Sequence, residues 1–288
     1  MLATITSATV VGIRGCPVTV EVFVGDGLPA FNLVGTPDAV CKESRNRIRA
    51  AFASSRLRWP NRSVTINLAP TGERKSGAGL DLAIAVGLLV ATQQISPEAA
   101  AGYAFIGELG LDGALRGVIG VAPMVDALDG VDVVVPLANA VEAGVAARGT
   151  PRVATSLGAV VACLTGAQPW EPLPDRDPPE DILPLPDLAD VRGQPVARHA
   201  LEIAAAGGHH MLIVGSPGSG KTMLAQRLPS LLPGLDRQQA LETTMVHSAA
   251  GLALPPGGLI QTPPFRAPHH TTSVIALVGG GSQHLRPG

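Results

Sequence analysis

The sequence predicts an α/β protein in two blocks joined by a stiff linker. Three observations carry that reading. Over residues 1–167, short apolar or alternating runs trade places with helical patterns, as in one α/β unit. Residues 168–187 then hold seven prolines and seven charged residues in twenty. Such a stretch forms neither a helix interior nor a central strand, so it reads as a semi-rigid linker and a domain boundary. From 188 to 288, a helical pattern, a short apolar run, a glycine-rich loop and a second helical pattern follow one another.

Taken in order, residues 5–11 and 18–24 alternate or run apolar, as strands do. Residues 38–54 read as a helix with Val40, Ile48 and Ala51 inward and Lys42, Glu43, Arg45, Arg47 and Arg49 outward. A strand follows at 64–68. Residues 79–92 are apolar nearly all round, the mark of a buried helix. Strands are expected at 105–109 and 131–135, with a helix at about 120–128. Helices at 138–147 and 157–164 complete the first block. In the second, helices are expected at 195–207, 222–232 and 236–246, and a short strand at 210–214. From 255 onward the chain reads as loop.

Composition narrows the class. The 288 residues suit about two domains at roughly 150 residues each. Hydrophobic residues make up 46% but aromatics only 3%, so the cores are built from Ala, Val, Leu and Ile. A mean hydropathy of +0.29 invites a search for a membrane span. The longest apolar run, 82–91, falls well short of the ~20 residues a bilayer requires. The N-terminus alternates like a strand and lacks a basic region, so no signal peptide is read there, and a cytoplasmic location is expected. A net charge of −2 gives no whole-chain sign of nucleic-acid binding. Cys16, Cys41 and Cys163 have no metal-ligand spacing and read as small buried residues.

The specific signal is Gly215, Ser216, Pro217, Gly218, Ser219, Gly220, Lys221 and Thr222, the GxxxxGK[ST] pattern of a Walker A phosphate loop. Glycines let backbone N–H groups turn toward phosphate oxygens. Lys221 can reach the β- and γ-phosphates, and the Thr222 hydroxyl can coordinate Mg²⁺, so ATP with Mg²⁺ is the expected ligand. Hydrolysis also needs an acidic site for Mg²⁺ and water. Asp236 and Glu242 lie in a polar helix, and no carboxylate follows Glu242.

Around this loop stand DVRGQP at 190–195, GGHHMLI at 207–213, MLAQRLP at 223–229, HSAAG at 247–251, PFRAPHHT at 264–271 and GGGS at 279–282. With these motifs the chain resembles the magnesium-chelatase-like AAA+ ATPases of the ComM/YifB type. The resemblance extends into the first block through NLVGTPD at 32–38, KESR at 42–45 and GELGLDG at 107–113. It implies a partial P-loop AAA+ domain over 188–288, with Walker B, sensors and arginine finger beyond residue 288, so a truncated reading is expected. It also implies hexameric ATPases associated with DNA processing in natural transformation, including helicase and branch-migration activity. Residues 191–194 would lie near the adenine, and 264–271 in a loop facing DNA or a central pore.

The first block resembles the proteolytic domain of Lon-like proteases, of the ribosomal-S5-domain-2 type of fold. That family uses a Ser–Lys dyad. Alignment of residues 70–82 puts the nucleophile at Gly79, or at Ala78 with a one-residue shift. Alignment of 115–128 puts the base at Met124. None of these can serve, so a non-catalytic relative is expected. Lys75 and Ser76 are adjacent and on an extended segment point to opposite faces. The arginines of 42–49, with Arg56, Arg58 and Arg62, form either an ordinary solvated face or a nucleic-acid contact. His269, His270 and Arg266 serve either the loop's own structure or a DNA or subunit contact. Rival readings are a chelatase-type motor subunit, a Lon-like peptidase and a silent fragment. A chelatase motor would not need the first block, so that block is expected to separate the two.

Overall fold

The computed structural model describes residues 1–71, 75, 77–174 and 185–280. The first block runs β1 (Leu2–Val11), β2 (Arg14–Gly25), β3 (Ala30–Val34), α1 (Ala39–Lys42), α2 (Ser44–Ser54), β4 (Ser63–Ala69), α3 (Asp81–Ala91) and α4 (Pro97–Ala100). It continues with β5 (Tyr103–Phe105), β6 (Glu108–Leu109), β7 (Leu115–Arg116), α5 (Val121–Asp126), β8 (Asp132–Pro136), α6 (Ala140–Ala146), β9 (Pro151–Ala154) and α7 (Leu157–Leu164). Seven strands form one mixed sheet in the order β3-β4-β2-β1-β5-β8-β9. The β1–β2 and β2–β4 pairs are antiparallel, and the other four are parallel. The fold is α/β, as the sequence predicts.

Strand alternation decides what lies on each face. Ile5, Val20, Phe105, Val134 and Ala154 point into a core roofed by α2, α3 and α7. Ala8, Ala104, Ile106, Val133, Val135 and Val153 point the other way, under α5 and α6. Strands β5 and β8 are buried on both faces, which is why they read as continuous apolar runs. Every residue of α3 is buried. Its approach to the sheet needs Gly87, where a Cβ would stand 2.6 Å from Val22 Cγ2.

Several expectations are corrected. The helix over 38–54 breaks at Glu43 into α1 and α2. Arg47 Nη2 donates to the Val40 carbonyl at 3.1 Å, capping α1 from the next helix. Cys41 is buried, while Val40 is 44% exposed. Arg47 turns inward to Asp81 rather than outward. The strand expected at 105–109 splits, because Gly107 donates to the Gly79 carbonyl instead of the sheet and β6 then pairs with β7. Strands β3 and β9 have no counterpart among the expected elements.

In the second block the helices are α8 (Pro195–Gly207), α9 (Lys221–Ala225), α10 (Leu228–Leu231), α11 (Arg237–Ala249) and α12 (Val274–Val278). The helix expected at 222–232 is interrupted at Gln226 and Arg227, because Pro229 lacks the N–H that would continue it and opens α10 instead. Residues 210–214 form no strand, since no described strand of this block lies beside them to pair with. Leu212 and Val214 are accordingly 87% and 84% exposed. Residue ranges 168–174 and 185–187 of the linker are described, and its middle lies outside the described residues.

The two blocks touch through α11. Ser248 is buried, and its hydroxyl donates to Glu142 Oε1 and accepts from the Ala122 N–H at 3.3 Å. Glu142 Oε1 also accepts from Ala122 N–H, and Oε2 from Asn139 Nδ2, both at 3.0 Å. Ser248 Oγ and Glu142 Oε1 thus serve the Ala122 N–H in the first turn of α5, whose Gly120 supplies no side-chain cap.

Candidate phosphate-binding loop

The loop at 215–222 grows from a small apolar cluster. Leu188, Val191, Leu201 and Leu224 are buried together, with Ile213, Met223, Leu228 and Leu231 packed against them. This cluster clamps α8, α9 and α10 around the base of the loop. Gln194 starts α8 in the left-handed region (φ 52°) and sends Nε2 to the Ser219 carbonyl at 3.2 Å. The segment 191–194 is thereby brought against the loop.

Residues 215–219 face solvent. Gly218 and Gly220 take φ of 80° and 85°, a region that L side chains rarely adopt. At Gly215 a Cβ would stand 2.9 Å from Ser219 Oγ. Lys221 folds back across the loop, its ammonium donating to the carbonyls of Gly215 at 2.8 Å and Ser216 at 2.7 Å. Thr222 is exposed in the first turn of α9. The ammonium, the exposed hydroxyl and the glycine backbone thus converge on one open turn, a donor set that fits a phosphate chain with a divalent ion.

The acidic residues after the loop are engaged elsewhere. Asp236 caps α11, accepting from Gln239 N–H at 2.8 Å in a reciprocal capping box. Glu242 accepts from Gln238 Nε2 at 3.0 Å. Before the loop, Asp190 lies 3.7 Å from Arg227. His269 and His270 lie with ring centres 4.0 Å apart and planes tilted by 40° in an exposed loop, and His269 Nδ1 meets Thr271 Oγ1 at 2.8 Å. Burial, with exposed Arg266 adding its charge, lowers the pKa of the His247 imidazole.

In the first block, Met124 sits in the apolar core and Gly79 in a turn whose carbonyl accepts from Gly107. Lys75 is buried, its backbone paired with Thr36 and Asp38, while Ser76 lies outside the described residues. Two polar clusters have no counterpart in the sequence reading. One is Arg47 with Asp81. Arg47 Nε and Nη2 grip Asp81 at 2.6 and 3.0 Å, and the Leu109 N–H adds a contact at 3.3 Å. Burial pushes the Asp81 carboxyl up, against the pull of Arg47, while hydrogen bonding to Asp81 raises the Arg47 guanidinium. The two directions oppose each other. The bidentate geometry with a side chain that does not release its proton decides for a charged pair. The other cluster is Glu142 with Ser248. Its sequence signal is no more than an acidic residue in an otherwise apolar helix.

Two family models match the chain. One, described as magnesium chelatase, subunit ChlI, covers residues 187–288, and another, described as subunit ChlI of Mg-chelatase, covers 20–139. The first block therefore does not by itself separate this chain from a chelatase motor, contrary to expectation. Relatives matching nearly the whole chain are more specific. An uncharacterised protein of Mycobacterium tuberculosis is 45% identical over 98% of this chain. The uncharacterised protein YifB of Escherichia coli is 40% identical and the competence protein ComM of Haemophilus influenzae 39%, each again over 98%. The chain spans 56% of the length of these relatives. No described helix is long and apolar enough to cross a membrane. Taken together, these matches make the chain a member of the magnesium-chelatase-like family of ComM and YifB.

Proposed function

We propose that this chain binds ATP with Mg²⁺ through residues 215–222. The carrying observation is Lys221, whose ammonium lies across a glycine loop and donates to that loop's own carbonyls. A β- or γ-phosphate offers it stronger, charged acceptors. Thr222 supplies a hydroxyl for Mg²⁺, and the ion's chemistry is to neutralise the phosphate chain. Asp236 and Glu242 are occupied within α11, so binding without turnover is the expected behaviour of this chain. For the whole protein we propose the ATP-driven, hexameric DNA processing that the family resemblance implies; the one supporting word among the relatives is "competence" in the name of the Haemophilus influenzae protein.

The test is a titration with a fluorescent ATP analogue in the presence of Mg²⁺, for the parent chain and for Lys221→Ala. The parent should bind and the variant should not. Equal affinity would remove the loop from the binding site. Phosphate release is measured alongside, and turnover above the Lys221→Ala background would show that a carboxylate reaches the loop after all.

A further inference from the structure

We propose that the outer face of α2 and the segment after it form a binding surface for single-stranded nucleic acid. This deepens the DNA part of the proposed function and is independent of the phosphate loop. Residues 42–62 hold seven cations and one carboxylate, a local charge of +6 (7 − 1) in a chain whose net charge is −2. The other 267 residues therefore carry −8 (−2 − 6), so the positive charge is concentrated rather than diffuse.

The helix geometry sorts these cations. Arg45 and Arg49 are one turn apart and share a face, whereas Arg47 lies between them on the opposite side. Arg47 is the one consumed by Asp81. Lys42, Arg45, Arg49, Arg56, Arg58 and Arg62 are all exposed. Among the described carboxylates, Glu43 reaches Arg47 at 3.9 Å and Asp26 reaches Arg62 at 3.4 Å, the latter pair well exposed to solvent. Exposed pairs of this kind are weak and screened, so the surface keeps most of its charge.

Aromatic rings are set among the cations. The Arg45 guanidinium lies 5.9 Å from the centre of the Phe31 ring. Phe31 stacks on Trp59 at 6.0 Å, and Trp59 is flanked by Arg58 in the chain. Both rings are half-buried, anchored edge-on against Phe52 in the case of Trp59. Phe31 belongs to β3, which ends the sheet with β4 as its neighbour. Next to Trp59 in the chain, Pro60, Asn61 and Arg62 line a concavity of about 400 Å³ together with Met1, Val24, Thr92 and Gln93. A groove that tracks a phosphate backbone with arginines and offers ring faces to unstacked bases is what a single strand needs. A duplex keeps its bases stacked and has no use for the rings, and a bilayer surface offers them no bases.

The experiment is fluorescence anisotropy of a labelled oligothymidylate with the 288-residue chain, without nucleotide, over a series of salt concentrations. The comparison variants are Arg45→Ala/Arg49→Ala and the charge-retaining Arg45→Lys/Arg49→Lys. Circular dichroism confirms that each is folded. The alanine pair should bind about tenfold more weakly or worse. Its plot of log affinity against log salt should be shallower by about 1.4, at roughly 0.7 for each phosphate that is no longer neutralised. The lysine pair should retain most of the salt slope, and Lys221→Ala should bind as the parent does. Loss of strand binding in Lys221→Ala but not in the alanine pair would overturn the assignment. So would equal binding by all the chains, tighter binding to a duplex of the same length, or tighter binding to vesicles containing an anionic lipid. ATP binding is read separately, so neither result decides the other.

Discussion

Removing Arg47 isolates a carboxylate that the fold has taken almost wholly out of water. Asp81 opens α3, a helix with every residue buried, and its side chain is 1% exposed. Arg47→Ala leaves that carboxylate with the Leu109 N–H, 3.3 Å away, as its donor. Breaking a buried pair on one side costs about 3–5 kcal/mol, because the surviving charge is uncompensated. The helix N-terminus and protonation of Asp81 both relieve part of this, so about 3 kcal/mol is expected at neutral pH. The loss has a pH signature. Asp81 is already raised by burial, and without Arg47 its main lowering causes vanish. A carboxyl whose folded pKa exceeds its unfolded one favours the folded state most fully below the unfolded value. That advantage is lost as pH rises through the folded value. The deficit of the variant should therefore shrink from pH 8 to pH 5. Urea unfolding followed by the fluorescence of Trp59, which packs beside α2 on Phe52 and Phe31, reads this directly. Trp170, against Tyr103, reports on the same block. A loss below about 1 kcal/mol, or one that does not change with pH, would mean that the pair is structurally idle.

Further outcomes follow from Cys41 and from Glu142. Cys41 is held protonated, burial first and then Asp38 and Asp81 pushing its pKa up to about 12. In the native protein at pH 9 an alkylating reagent should modify Cys16 and Cys163, which are partly exposed, and spare Cys41, as peptide mass mapping would show. By linkage the raised thiol stabilises the fold fully below about pH 9 and loses that contribution as pH climbs toward 12, so base unfolding should steepen in that window. Glu142→Ala would take the acceptor from the Ser248 hydroxyl and leave the Ala122 N–H with only its longer contact to Ser248, at about 1–3 kcal/mol. Hydrogen exchange should then quicken in α5 and α11 while β1 and β2 stay protected. Unchanged exchange in α11 would show that the blocks are held by other contacts.

The periodic elements are readable because their sequence signal is their burial pattern. Residues 157–164 and 195–207 begin and end where apolar spacing and proline or glycine put them. Strand β3 is not, since Ala30, Asn32 and Val34 are exposed at the sheet's end and leave no contrast to detect. The apolar run 210–214 misleads for the opposite reason: apolarity suggests a strand, but only a partner makes one. Arg47 is misassigned when charge is equated with exposure. Three arginines at 45, 47 and 49 cannot share one helical face, and the lone aspartate of an apolar helix is the matching clue. The glycine-rich loop at 215–222 is legible as a pattern. Its hydrogen bond with Gln194 is not, because it joins residues 25 apart in the chain.

The folded-back ammonium of Lys221 has a consequence for discrimination. Its hydrogens already rest on two peptide oxygens, so an arriving ligand performs a substitution rather than filling a void. A neutral molecule has nothing better to offer than those peptide oxygens and leaves them in place. A charged phosphate oxygen improves on the resident acceptors, so under the proposed binding the loop would sort molecules by charge before it reads their shape.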